Sequence, residues 1–137
     1  MGTTIRPEIT KNNNYWISRH RYYELKHFCM QYKEWREEYA ELDSCVAYGS
    51  VSKVHSGSKI SIPVEQIMER RLYLSERINL IERLSAEAGA DLKSYLLKAV
   101  TEGVSYDILK AKFSIPCCRS VYYDIYRKFF WLLSKER

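Results

Sequence analysis

One stretch constrains this chain more than any other: Val104 to Glu136, VSYDILKAKFSIPCCRSVYYDIYRKFFWLLSKE. Ser105 is placed to cap a short helix, YDILKAKF, because a serine hydroxyl accepts from the free amides of a first turn. Ile108 and Leu109 are expected to face inward, with Lys110 and Lys112 in solvent. Phe113-Ser114-Ile115 then reads as a turn: an apolar residue, a small one, and an apolar residue that plugs the angle between two helices. Pro116 is expected to open the second helix, where a missing N–H removes no bond. The outline, over residues 104–136, is a helix-turn-helix. That motif is a common way to lay one helix in a DNA major groove. Two details are off-pattern. Ser114 stands where glycine is usual, and the interval from Ile115 to Val121 is one residue longer than in typical motifs of this kind.

The second helix can be divided by angle, at about 100° per residue. Cys118, Val121, Tyr122, Ile125, Phe129 and Leu132 share one face and are expected on the core. Arg119, Ser120, Tyr123 and Arg127 share the opposite face, which in the usual docking meets base edges or phosphates. An arginine there can neutralise phosphate or reach guanine O6 and N7. Lys112 and Lys128 suit backbone contact, which gives affinity without sequence choice. Asp124 sets a negative charge beside that face. Phe130 and Trp131 also point away from the Val121 face. Two large aromatics left in water make an unusual patch. Either the long first helix, another subunit or a protein partner is expected to cover them.

Upstream, residues 1–14 read as a flexible arm: Pro7, an NNN run and no hydrophobic period. From Tyr15 to about Leu42, Leu25, Phe28, Cys29, Tyr32, Trp35 and Tyr39 recur at spacings of three and four. This predicts one long amphipathic helix, capped near Ser18 and open to a kink near Gln31. Asp43 to Ile62, with two glycines and six serines, reads as a loop, a short β-ribbon being the alternative. Pro63 then suits the first turn of a helix over Val64–Ala88. Its stripe is Ile67, Leu74, Ile78, Ile81 and Leu84, widened by Met68, Leu72 and Leu80. At ~1.5 Å per residue that helix is roughly 40 Å long, so a core role and pairing with a partner helix in a homo-oligomer both fit. Gly89 ends it, Asp91 is placed to cap the next helix, and Gly103 ends that one. Leu92, Leu96, Ala99 and Val100 are its expected buried face. The fold expected is all-α: a single helical domain over residues 15–137, a bundle with long N-terminal and middle helices and a C-terminal helix-turn-helix.

Bulk composition agrees with this. Twenty-two Lys and Arg against seventeen Asp and Glu give a net charge of +5, which permits a polyanionic partner without requiring one. Twelve tyrosines suit either wet interfaces and base stacking or a tyrosine-rich core. The four cysteines, Cys29, Cys45, Cys117 and Cys118, complete no CxxC or Cys/His zinc pattern. The opening MGTTIRPEIT lacks a signal-peptide run, and nothing approaches the roughly 18 apolar residues of a membrane span. A reduced, cytoplasmic protein without membrane contact is expected.

The arrangement EGVSYDILKAKFSIPCCRSVYYDIYRKFFWLL resembles the C-terminal region of ArpU/RinA-type late-gene transcription regulators of phages and prophages of Gram-positive bacteria. Their terminal segment is like region 4 of a sigma factor. The upstream YWISRHRYYELKHFCMQYKEWREEY looks like the opening of uncharacterised prophage proteins of similar length. The resemblance implies sequence-specific binding of double-stranded DNA through Arg119, Ser120, Tyr123 and Arg127. Host RNA polymerase or another host protein is a further implied partner.

Enzyme signatures are missing from the sequence. There is no Gly-rich phosphate loop and no HExxH. His20, Glu24 and His27 share a helix side that a metal could bridge, but a solvated helix face is the plainer reading. No catalytic residue, cofactor or metal is therefore expected. Two rivals to DNA binding fit the same composition. One is a small phage protein that binds and inhibits a host enzyme or defence nuclease, with Phe130 and Trp131 at the interface. The other is a packaging or assembly factor.

Overall fold

The computed structural model describes residues 14–47 and 63–137, and the chain is all-α: among these residues every regular element is helical. The elements are α1 (Arg19–Cys29), α2 (Tyr32–Ala47), α3 (Val64–Ala88), a 3-10 turn (Ala90–Leu92), α4 (Lys93–Glu102), α5 (Tyr106–Phe113) and α6 (Arg119–Glu136). The arm expected over residues 1–14, Asn14 aside, lies outside the described residues. So do most of the expected loop and the alternative β-ribbon within it. No helix among the described residues is long and apolar enough to cross a membrane.

The single helix expected from Tyr15 to Leu42 is two helices, broken at Met30 and Gln31. The Gln31 amide turns back to the Phe28 carbonyl at 3.3 Å, while its side-chain Nε2 donates to the His27 carbonyl. A side chain that takes an acceptor from the helical ladder is a recognised cause of a kink. Ser18 holds the N-cap position of α1 in extended backbone, without a side-chain capping bond.

These residues form two compact units: one runs up to Gln31 and resumes at Leu80, the other takes Tyr32–Asn79. In the second unit, α2 and the first part of α3 bury Tyr32, Trp35, Ile67 and Leu74. Arg70 grips Glu38 with two bonds, Nε to Oε2 at 2.6 Å and Nη2 to Oε1 at 2.9 Å. That hydrogen-bonded guanidinium holds the Glu38 carboxyl below its ordinary range. Arg71 meets Asp43 at 2.7 Å. Met68 and Leu72, expected to widen the buried stripe, are instead exposed. One side of α3 suffices to cover α2, and these two lie beyond it.

In the first unit, α1, the last part of α3 and α4–α6 share a core of Leu25, Phe28, Ile81, Leu84, Leu96, Phe129, Phe130 and Leu133. Its buried hydroxyls are satisfied within their helices: Ser85 donates to the Ile81 carbonyl and Thr101 to that of Leu97. Gly89 ends α3 as expected. The chain then makes the 3-10 turn, so Asp91 does not cap α4, whose N-cap is Leu92. Gly103 closes α4 in left-handed backbone at φ 73°. Ser105 caps α5 as expected, accepting from the Ile108 amide.

The turn after α5 explains the serine at position 114. Ser114 is left-handed at φ 54°, and its amide and that of Ile115 both return to the Leu109 carbonyl. Left-handed backbone costs a non-glycine residue roughly 1–2 kcal/mol. Ser114→Gly is therefore expected to stabilise the fold by about 1 kcal/mol, raising the melting temperature by roughly 3–6 °C in calorimetry. A lower melting temperature would contradict this geometry.

Candidate nucleic-acid interface

The interface expected from the sequence is built by α4, α5 and α6. Their shared core is Leu92, Ala99, Tyr106, Leu109, Ile115 and Tyr122. Ile115 is the plug between α5 and α6, fully buried as its position in the turn predicts. Leu109 joins it, but Ile108 is exposed. A helix of eight residues buries one side only, and Ile108 lies about 100° from Leu109.

Pro116 does not open α6. The helix starts three residues later, with Cys118 as N-cap in extended backbone. The Tyr106 hydroxyl of α5 donates to the Cys117 carbonyl at 2.7 Å and holds the chain outside the helix there. This longer turn accommodates the extra residue between Ile115 and Val121.

It also resets which face of α6 is buried. Tyr122, Phe129, Phe130 and Leu133 are buried, with Tyr126 between them. At 100° per residue, that face is rotated by roughly 70° from the expected one. Val121 is accordingly 46% exposed and Cys118 is exposed. Val121 and Ile125 line an open cleft of 470 Å³ with Leu92, Pro116 and Cys117. Gly89 floors it because α6 passes so close: a Cβ there would stand 2.9 Å from Ile125 Cγ2.

The rotation draws Phe130 inward. It is 1% exposed, with the Tyr22 ring of α1 at 5.1 Å and Tyr126 at 5.0 Å. Tyr22 and Tyr126 share a hydroxyl hydrogen bond of 2.8 Å, and burial pushes the Tyr126 hydroxyl well above its ordinary range. Trp131 stays half-buried, edge-on to Tyr15 at 5.3 Å, with the Lys135 ammonium 4.0 Å above its ring. The protein-interface role expected of Phe130 is thus corrected: this chain's own first helix covers it. Several tyrosines follow the same rule. Tyr106, Tyr122 and Tyr126 form a ladder inside the unit, with centroids 5.3 and 5.9 Å apart.

The cationic residues fare unequally. Arg119 and Ser120 open α6 and are exposed, as expected. The Arg119 guanidinium lies 5.0 Å over the Tyr106 ring and forms an ion pair with Asp107 of α5. Tyr123, expected outward, is half-buried and packs edge-on to Tyr122 at 5.1 Å. Arg127 keeps only 20% of its side chain in solvent and holds Asp124 at 3.0 Å. The Arg127 contact was foreshadowed by Asp124 in the sequence; the Asp107 contact was not. It crosses two elements, and only the turn brings its partners together. Lys112 is exposed and Lys128 half-buried, and neither has an ion-pair partner among the described residues.

Two wider features favour a polyanion. Among its described residues, the unit holding α4–α6 carries thirteen Lys and Arg against eight Asp and Glu. No acid lies in the first turn of α6, so the positive end of its dipole is uncompensated within the helix. Of His20, Glu24 and His27, Glu24 is engaged by Arg21 at 2.6 Å.

The adjacent thiols differ. Cys118 is held below its ordinary range, first by the Ser120 hydroxyl at 3.3 Å and then by the Val121 amide. Burial raises both Cys117 and Cys29. Since the thiolate is the nucleophile, Cys118 is expected to react with iodoacetamide before Cys117 or Cys29 at neutral pH. Peptide mass spectrometry after brief exposure reads the order, and earlier labelling of Cys29 would contradict it.

No protein-family model, curated protein or solved structure matches this chain.

Proposed function

We propose that this protein is a DNA-binding transcription regulator of the phage or prophage type, acting in the bacterial cytoplasm through α5 and α6. The observation that carries the reading is the capped, plugged α5–turn–α6 pair, which leaves Lys112, Arg119 and Ser120 exposed on a cationic unit. The N-terminal end of α6 enters the major groove, with Arg119 and Ser120 nearest the bases. Lys112 and Lys128 take phosphates. Arg119 exchanges Asp107 for DNA on binding, and Arg127 exchanges Asp124. Host RNA polymerase is the second partner that the sequence resemblance brings with it. No catalytic step is assigned.

A gel-shift screen against DNA flanking its own gene, at two salt concentrations, tests the reading. A retarded complex that weakens at the higher salt supports it. Absence of any complex at the lower salt, where phosphate contacts are strongest, contradicts it. A protein-inhibitor role is the rival that a specific observation favours, namely the exposed apolar residues of α3. A host protein retained from lysate after nuclease treatment, with no DNA complex, would select that rival.

A further inference from the structure

The unit formed by α2 and the first part of α3 carries a second surface. Val64, Met68 and Leu72 are 60%, 51% and 60% exposed. Spaced four apart, they make a single ridge along α3, because such positions stack on one helix side. The apolar residues that hold this unit together, Ile67 and Leu74, are buried on the adjoining side, about 110° round the helix. Apolar ridges of this kind are an anchor pattern for helix recognition.

The charge around the ridge is one-sided. Glu65, Glu69 and Glu76 run along one edge, all exposed and with no ion-pair partner among the described residues. The opposite edge carries Arg71, already tied to Asp43 at 2.7 Å and to the Tyr39 hydroxyl. Its charge is therefore spent within the chain. Across the described part of this unit, eight Asp and Glu stand against five Lys and Arg. The sign is opposite to that of the unit bearing α4–α6.

We propose that this ridge docks an amphipathic helix of another protein, one whose own apolar ridge is flanked by lysines and arginines. Apolar contact with Met68 and Leu72 gives the affinity. The three glutamates fix the partner's orientation and speed its approach. A nucleic acid is the wrong sign for this face. A second copy of the chain is a poor occupant too. Antiparallel pairing would set the glutamate edge against its own copy, and parallel pairing would set it beside the neutralised Arg71. The proposal does not rest on the DNA reading, since the two surfaces lie on different units.

The test uses the full chain and three fluorescent helical peptides: a leucine ridge flanked by lysines, the same ridge flanked by glutamates, and the lysine peptide with alanines for leucines. Anisotropy at about 150 mM salt measures binding. The lysine–leucine peptide is expected to bind at least about tenfold tighter than either control. Met68→Ser with Leu72→Ser should weaken it about tenfold or more. Glu65→Gln with Glu69→Gln and Glu76→Gln should weaken it and flatten its salt dependence. All five positions are exposed, so melting temperature should stay unchanged in these variants. Equal binding of the three peptides, or no binding, overturns the proposal. So does a dimer in native mass measurement that Leu72→Ser converts to monomer, which would assign the ridge to a second copy.

Discussion

Phe130→Ala will destabilise the protein by about 3–5 kcal/mol, lowering its melting temperature by more than roughly 10 °C. The ring is 1% exposed and meets Tyr22, Tyr126 and Phe129 with centroids 5.0–5.1 Å away. Removing it empties a site walled by large, rigid aromatics. They cannot collapse cheaply onto the void, so a cavity penalty adds to the lost burial. It also strips α1 of its main aromatic contact with α6. Trp131→Ala should cost less, because that ring is half in solvent. Scanning calorimetry on the two variants reads the difference. An unchanged melting temperature in Phe130→Ala, with loss of a binding partner, would return this residue to an interface.

Opposite changes in charge at α5 and α6 should move DNA affinity in opposite directions. The triple variant Lys112→Ala, Arg119→Ala, Lys128→Ala is expected to bind duplex DNA about a hundredfold more weakly. Each lost phosphate contact should lower the salt slope by about one. Asp107→Asn works the other way. It releases Arg119 from its ion pair and removes the negative charge that faces it. On the proposed reading affinity should then rise about tenfold, since that reading has Arg119 exchange Asp107 for DNA. Exposed ion pairs add little to folding, so melting temperature should hardly move in either variant. Weaker DNA binding by Asp107→Asn would show that the pair positions Arg119 rather than restrains it. That would reverse the exchange proposed for this side chain.

Local signals carried most of the fold. The Ser105 cap, the Gly103 stop, the Ile115 plug and the extent of α3 all depend on residues within one or two turns of each other. What could not be read was the phase of α6. It hangs on one tertiary bond, from the Tyr106 hydroxyl to the Cys117 carbonyl, eleven residues apart. Moving the helix start from Pro116 to Arg119 turns the buried face. Phe130 then goes inside and Val121 to the surface. The pairing of Arg119 with Asp107 was hidden for the same reason. The break between α1 and α2 was marked only by Gln31, a residue compatible with a continuous helix. Met68 and Leu72 fit the periodicity of a buried stripe, but periodicity does not say how wide the covering neighbour is.

The most direct measurement is the dissociation constant of the unmodified protein for duplex DNA, taken across a salt series from about 50 to 200 mM. With three or four phosphate contacts, log K should fall by roughly three units per decade of salt. An affinity that stays flat across the series, or no binding at its lowest point, would contradict a nucleic-acid interface at α5 and α6.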